Sequence, residues 1–326
     1  MQSDNKMLDL LRDSDGSYVS GEELCKMAGI SRAGIWKRIE KLREEGYEIE
    51  ALPHLGYRLI GIPDALLPDE IKLNLKTRYL GKEIISYKKV DSTNTSAYEL
   101  AEHGLTEGAV IFADEQARGK GRHGRTWQSV PGCGIYMSCV LRPHMAPNEI
   151  PKITLVAAVA VAKAIRGYTG LNAVIKWPND ILINGKKVCG ILTEMKAEQD
   201  MIDFIILGIG VNVNTKAKDL PKGASSLKEE LHHIKDGENI SRVELAKKML
   251  ETLEEYYNTL KKKGSGSIIE EWKEYSVMLG SRVKVALPNR TFEADVYNID
   301  PDGALVVRLD SGVLEKISSG DVVMVR

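Results

Sequence analysis

The stretch "GKGRHGRTW", Gly119 to Trp127, places three glycines and three full cations in nine residues and ends near an aromatic ring. Between Gln116 and Asn148 no acidic residue occurs, while Arg118, Lys120, Arg122, Arg125 and Arg142 supply five positive charges. Such a segment suits an anion, because Gly119, Gly121 and Gly124 let the main chain bend close to a ligand and aim N–H groups at it. The spacing is neither G-x-x-x-x-G-K-[ST] nor G-x-G-x-x-G, so P-loop and Rossmann readings fail. With no ligand the clustered cations repel one another on a flexible tether, which predicts a loop that is mobile when empty and ordered when filled. The competing reading is a solvated surface turn.

Two downstream segments bear on the same ligand. "VIKWPNDILINGKKVCGIL", Val174 to Leu192, reads as a strand, a Pro-Asn-Asp kink and a hairpin whose Asn184-Gly185 turn suits type I′ geometry. That turn is expected to set Ile183 opposite Lys186, Leu182 opposite Lys187 and Asp180 opposite Cys189, with Lys187 and Asp180 diagonal on one face. A lysine held on a strand is a fixed positive charge for a carboxylate or phosphate. "FIILGIGVNVN", Phe204 to Asn214, puts Ile205, Leu207, Ile209, Val211 and Val213 on a core face. Gly208, Gly210, Asn212 and Asn214 form the other, which leaves room for a flat ligand. Upstream, "DSTN" opens a helix after a strand, and capping accounts for one of Ser92, Thr93 and Asn94.

The chain has 326 residues, enough for two or three domains, and its 43% hydrophobic and 28% charged composition is that of a soluble globular protein. The longest apolar run, Leu155 to Ala162, is far short of the ~20 residues a membrane span requires. The first residues, "MQSDNKMLDLLRDSDG", carry acids where a secretory signal would be basic and then apolar. A cytoplasmic protein with no membrane partner is expected. Four scattered cysteines without a C-x-x-C pair, and six histidines without H-E-x-x-H, predict no metal held by the protein. No Ser-His-Asp or Cys-His pairing suggests hydrolysis.

Net charge near −1 excludes a uniformly basic nucleic-acid binder but conceals a local patch. Ser20 with Glu23 forms a capping box for a helix ending near Gly29. Ser31 caps a second helix, whose Ile35, Ile39 and Leu42 share a face and which Gly46 stops. Over residues 31–43 that second helix carries Arg32, Lys37, Arg38, Lys41 and Arg43 against Glu40, a local net of +4. Two helices about a tight turn, then two strands around Pro53 to Gly56, predict a winged helix-turn-helix over residues 1–62. Arg32, Trp36 and Lys37 are the candidate contacts in a major groove; a helical hairpin with a solvated basic face is the alternative. At the other end "RVKVAL", "FEADVYNI", "ALVVRL" and "VVMVR" are short alternating strands split by turns. "GSGS" at 264–267 is expected to join two helices before them.

In this order, "DSTN", "GKGRHGRTW", "KWPND", "GKKVCGIL" and "LGIGVNVN" after a winged helix closely resemble the bifunctional biotin protein ligase and biotin operon repressor (BirA-type) family, over essentially the whole chain. The resemblance implies a multi-domain protein: the winged helix-turn-helix (1–62), a central mixed α/β class II synthetase-like biotin ligase domain (63–275) and a C-terminal SH3-like β-barrel (276–326). It implies that Ser92, Thr93, Gln116, Gly119, Lys120, Arg122, Lys187 and Gly190 bind biotin. Arg125, Trp127, Lys176, Asn179 and Asn212 would surround the adenosine and phosphates, and Lys187 and Arg122 would carry the catalysis. Substrates would be biotin and ATP with Mg²⁺. Partners would be a biotin carboxyl carrier protein of acetyl-CoA carboxylase or another biotin-dependent carboxylase, operator DNA, and a second copy of the chain in a ligand-promoted homodimer. Lys120 stands where arginine is common in the family, keeping the charge but not the planar fork. Two other classes are a ligand-sensing repressor with a degenerate enzyme domain, and a lipoate ligase. Arg122, Asn179 and Lys187 argue against the first, and the glycine-rich loop and DNA-binding arm against the second.

Overall fold

Ser20 and Ser31 start two helices as their positions predict: each hydroxyl accepts the main-chain N–H three residues on, from Glu23 at 3.1 Å and Gly34 at 3.2 Å. In the computed structural model, which describes residues 2–198, 200–231 and 239–325, these helices belong to the first of two units, Met1–Ala65 and Leu66–Arg326. The first unit comprises α1 (Gln2–Asp13), α2 (Gly21–Ala28), α3 (Arg32–Glu44) and a two-stranded wing of β1 (Glu48–Leu52) and β2 (Gly56–Gly61). Leu8, Leu24, Ile35, Ile39 and Leu42 are fully buried, so the apolar stripe of α3 turns inward. The opposite face leaves Trp36 58% exposed, with Arg32 and Lys37 exposed beside it. At Gly56 the wing passes so close to Val19 that an added Cβ would sit 2.0 Å from its carbonyl oxygen. The two segments exchange hydrogen bonds there, between Val19 and Tyr57. The unit ends at Ala65, slightly beyond the expected residue 62.

The second unit is built on a seven-stranded mixed sheet. Its strands are β3 (Ile84–Val90), β4 (Val110–Gln116), β5 (Gly134–Leu141), β6 (Val174–Lys176), β7 (Asp180–Ile183), β8 (Lys186–Glu198) and β9 (Met201–Asn212). Their order is β3-β4-β5-β9-β8-β7-β6. Among the neighbouring strands of this sheet β3 and β4 pair in parallel, and the crossover that such a pair needs is supplied by the helix between them. Helices α4 (Pro68–Lys72), α5 (Thr93–Glu102), α6 (Ile150–Thr169), α7 (Leu227–Glu230), α8 (Arg242–Lys263) and α9 (Gly266–Tyr275) complete it. The expected linker at 264–267 does join two helices, α8 ending at Lys263 and α9 starting at Gly266.

Strand alternation divides the sheet into two faces. Ile205, Leu207 and Ile209 of β9 join the core formed with α6, α8 and α9. Phe204 and Ile206 point the other way, against Ala97 and Ala101 of α5. Beyond Ile206 that second face changes to Gly208, against which Asn94 in the first turn of α5 packs, and then to Gly210. The apolar run expected from 155 to 162 is the buried centre of α6, and no helix among the described residues is long and apolar enough to cross a membrane.

The tail forms a five-stranded antiparallel sheet, in the order β13-β12-β11-β10-β14. It comprises β10 (Arg282–Ala286), β11 (Thr291–Ile299), β12 (Leu305–Arg308), β13 (Leu314–Ile317) and β14 (Asp321–Met324). β13, "LEKI", was not among the expected strands, because its charged and exposed positions obscure the alternation. Val283 and Val285 belong to the same buried cluster as Trp272 and Ile175, so the β-module is packed onto the sheet domain. The break expected at 275/276 falls between α9 and β10.

Candidate active site

The part of the sheet around Gly208 and Gly210 forms the floor of a cavity of about 260 Å³. Ser92, Thr93 and Gln116 line one end, and Lys120, Arg122, Arg125 and Trp127 come from the glycine-rich loop. Lys176 and Asn179 flank a cis Trp177-Pro178 bond, and Lys187 and Gly190 rise from β8. These eleven expected residues thus meet in one place. Gly119 and Asn212 do not line the cavity. Gly119 lies behind the loop, where a Cβ would be 2.5 Å from the Trp127 carbonyl. Asn212 is buried and donates to the Ser225 carbonyl at 3.0 Å, a structural bond.

Three local expectations need correction. Ser92 occupies the N-cap of α5 but makes no capping bond. Its place is taken by Gln116, whose Oε1 accepts from the Thr93 N–H at 2.9 Å and the Thr93 hydroxyl at 3.1 Å. The Ser92 hydroxyl is left buried without a hydrogen-bond partner. Second, the β7–β8 register matches expectation only at Ile183–Lys186 and Leu182–Lys187; a bulge then sets Ile181 opposite Cys189 and Asp180 opposite Gly190. The extra residue lets Val188 and Cys189 both be buried, and Lys187 Nζ meets Asp180 Oδ1 at 2.6 Å. Third, the room above the glycines of β9 is occupied. A Cβ on Gly208 would be 2.1 Å from the Asn94 amide, and one on Gly210 would be 2.6 Å from the Trp127 indole. The same ring overlies Gly190, where an added Cβ would lie 2.8 Å from it, and its Nε1 is buried without a hydrogen-bond partner.

The loop's cations have found acids from outside their acid-free stretch. Arg118 pairs with Asp91 at 3.6 Å, Lys120 with Glu194 at 3.1 Å, and Arg125 with Asp321 of β14. Arg122 donates to Asn179 Oδ1 at 3.3 Å and lies 3.5 Å from the Gly320 carbonyl. Burial lowers the Arg122 pKa from its ordinary value, opposed by Asp321 and Asp180, and a guanidinium stays charged through such a change. Behind Thr93 runs a polar chain: the Ser138 hydroxyl contacts the Thr93 hydroxyl at 2.8 Å and donates to Asn94 Oδ1 at 2.6 Å, and Asn94 donates to Glu194 at 2.7 Å. Asp321, Val322 and Val323 also line the cavity. Nothing in the tail's sequence distinguishes them, since they reach the loop only through packing of the β-module. Cys189 is buried and burial raises its thiol pKa, which suits a core residue.

The cavity thus gathers polar and cationic side chains from several of the segments quoted above. Residues 86–212 match the family described as the biotin/lipoate A/B protein ligase family, residues 4–58 an HTH domain, and residues 278–325 the biotin protein ligase C-terminal domain. The bifunctional ligase/repressor BirA of Bacillus spizizenii is 39% identical over 97% of both chains. The chain belongs to the BirA family of bifunctional ligase/repressors. BirA of Escherichia coli is 27% identical, with 97% of this chain and 95% of that one covered. Among solved structures, the biotin protein ligase of Aquifex aeolicus in complex with biotin and ATP superposes with a TM-score of 0.63 at 29% identity, covering 75% of this chain and 99% of that one. This BirA-family chain therefore carries the DNA-binding arm, the ligase core and the C-terminal module in the expected order.

Proposed function

We propose that the protein activates biotin with ATP to biotinyl-5′-AMP, transfers the biotinyl group to a lysine of a biotin carboxyl carrier protein, and in its adenylate-bound form represses transcription at operator DNA. The observation that carries this reading is the convergence of Lys120, Arg122, Arg125, Lys176 and Lys187 from three segments upon one cavity, with the unpartnered Ser92 hydroxyl inside it. In the first step a carboxylate oxygen of biotin attacks the α-phosphorus, the bond to the bridging oxygen breaks, and pyrophosphate leaves. Two anions must be brought together, so the demand is for neutralisation and alignment. Lys187 and Arg122 supply that charge. Mg²⁺ would accompany the nucleotide and help to neutralise its phosphates. In the second step the carrier's lysine amine attacks the acyl carbon, the bond to AMP breaks, and the amine loses a proton. Ser92, Thr93, Gln116, Lys120 and Gly190 are assigned to biotin. Arg125, Trp127, Lys176 and Asn179 are assigned to the adenylate.

At about 260 Å³ the cavity is below the ~300–1,000 Å³ typical for larger ligands. In this reading Trp127 leaves its seat on Gly190 and Gly210 to make room for the adenylate, and the loop then closes over the ligand. That movement is tied to a sheet edge. β8 pairs with β7 only as far as Gly190. From Leu192 to Glu198 it has β9 alone as a strand neighbour among the described residues, and Lys120 of the loop grips Glu194 of this edge. Ligand would thereby favour pairing of two edges into a homodimer and present two winged helices to a palindrome. The test is pyrophosphate release from ATP with biotin, with lipoate and with neither, then a gel shift in the same mixtures. Release with biotin alone and tighter DNA binding in its presence are expected; biotin binding without pyrophosphate release would leave only a sensor.

A further inference from the structure

Lys187 is held from the side that the hairpin does not explain. The pairing of β8 with β9 starts at Cys189 opposite Val211, so two residues earlier that edge of β8 would be bare. A separate segment fills it: the Lys187 N–H donates to the Gly223 carbonyl at 3.0 Å, and its carbonyl accepts from the Ser225 N–H at 2.9 Å. Residues 223–225 thus form a strap alongside the lysine. Asn212 anchors the strap from β9 through the Ser225 carbonyl.

The other anchor is Glu230, at the end of α7 and only 5% exposed. Its Oε1 accepts from the Ser225 hydroxyl at 2.5 Å and from Lys186 Nζ at 3.1 Å, and its Oε2 accepts from Asn184 Nδ2 at 2.7 Å. One buried carboxylate therefore joins the strap, the hairpin turn and the residue before Lys187. Burial alone would raise its pKa, but the bonds from Ser225, Asn184 and Lys186 outweigh that and hold it below the ordinary value. A charge in so dry a place needs all of its donors. Glu230 does not line the cavity, so it acts through another residue.

We propose that Glu230 is a positioning residue for adenylate formation: by clasping Ser225, Asn184 and Lys186 it fixes the main chain of Lys187, and so the place of its ammonium against the reacting carboxylate and phosphate. The inference rests on the role given to Lys187 above. Misplacing a reacting group by about 1 Å can cost on the order of 100-fold in rate. Glu230→Gln keeps the shape but loses the charge and one acceptor, and is expected to lower kcat for biotin-dependent pyrophosphate release by about 10- to 100-fold. A double-mutant cycle with Lys187→Gln separates positioning from mere scaffolding. If Glu230 works through Lys187, adding Glu230→Gln to Lys187→Gln slows pyrophosphate release no further. Multiplying losses would overturn the inference and leave the Lys187 reading intact. Full activity in Lys187→Gln itself would overturn that reading and the inference with it. Ser225→Ala, which deletes a single hydroxyl, replaces Glu230→Gln in the same cycle if loss of the carboxylate prevents folding.

Discussion

At positions 190 and 210 hydrogen is the only side chain that fits beneath the Trp127 ring, since a Cβ would lie 2.8 and 2.6 Å from it. Overpacking of this kind costs about 1–3 kcal/mol, and here the ring, seated on an open loop, is the part that yields. Gly210→Ala should therefore displace Trp127, change tryptophan fluorescence in the free protein and raise KM for ATP. An unaltered spectrum would mean that the ring does not rest on β9 in solution. Arg122 reaches Asn179 across the cavity and lies against the β-module at Gly320, as a closing residue would. Arg122→Gly should release the reactive adenylate, so that bystander proteins become biotinylated alongside the carrier. Labelling confined to the carrier in that variant would remove the retention role.

Among the elements, the β7–β8 hairpin determines where Lys187 stands. Its turn needs Asn184 at φ 50°, a region that costs ordinary residues about 1–2 kcal/mol, and the same side chain bonds to Glu230. Asn184→Ala should lower stability by about 2 kcal/mol, measured by urea unfolding, from the turn strain and the lost hydrogen bond together. The glycine-rich loop is fastened differently. Arg125 and Asp321 pair across 196 residues of chain, yet the arginine side chain is 67% exposed, and exposed pairs contribute only about 0–1 kcal/mol. Asp321→Asn is accordingly expected to leave the unfolding midpoint nearly unchanged while trypsin cuts the empty loop at Arg118 to Arg125 faster. Biotin and ATP together should restore protection.

At the scale of the whole molecule, the α3 face with Arg32, Trp36 and Lys37 is exposed in the first unit, and the cavity proposed for adenylate formation lies entirely in the second. Arg32→Ala and Lys37→Ala should weaken operator binding and flatten its salt dependence by about one ion per lost phosphate contact, with pyrophosphate release unchanged. Equal loss of both activities would argue that these residues support the fold. With the proposed site in the second unit, biotin with ATP should raise the thermal midpoint of that unit as the logarithm of ligand concentration.

Much of this was legible from local chemistry. Ser20, Ser31, the apolar spacing of α3 and the Asn184-Gly185 turn act over three or four residues, and the sequence alone determined their helices and hairpin. It also pointed to an anionic ligand, because an acid-free stretch with five cations needs negative charge from elsewhere, although a solvated surface turn remained the competing reading. Long-range packing decided the rest. A bulge at Val188 depends on two successive side chains both finding core space, which no alternation pattern reports. Gln116 replaces Ser92 as the cap because β4 ends beside α5. Trp127 fills the glycine floor because the loop folds back over β8 and β9. Asp321, Glu230 and Ser225 reach the site's neighbourhood from segments far along the chain with no motif of their own. Their roles arise from proximity, and proximity between distant residues is a property of the folded core.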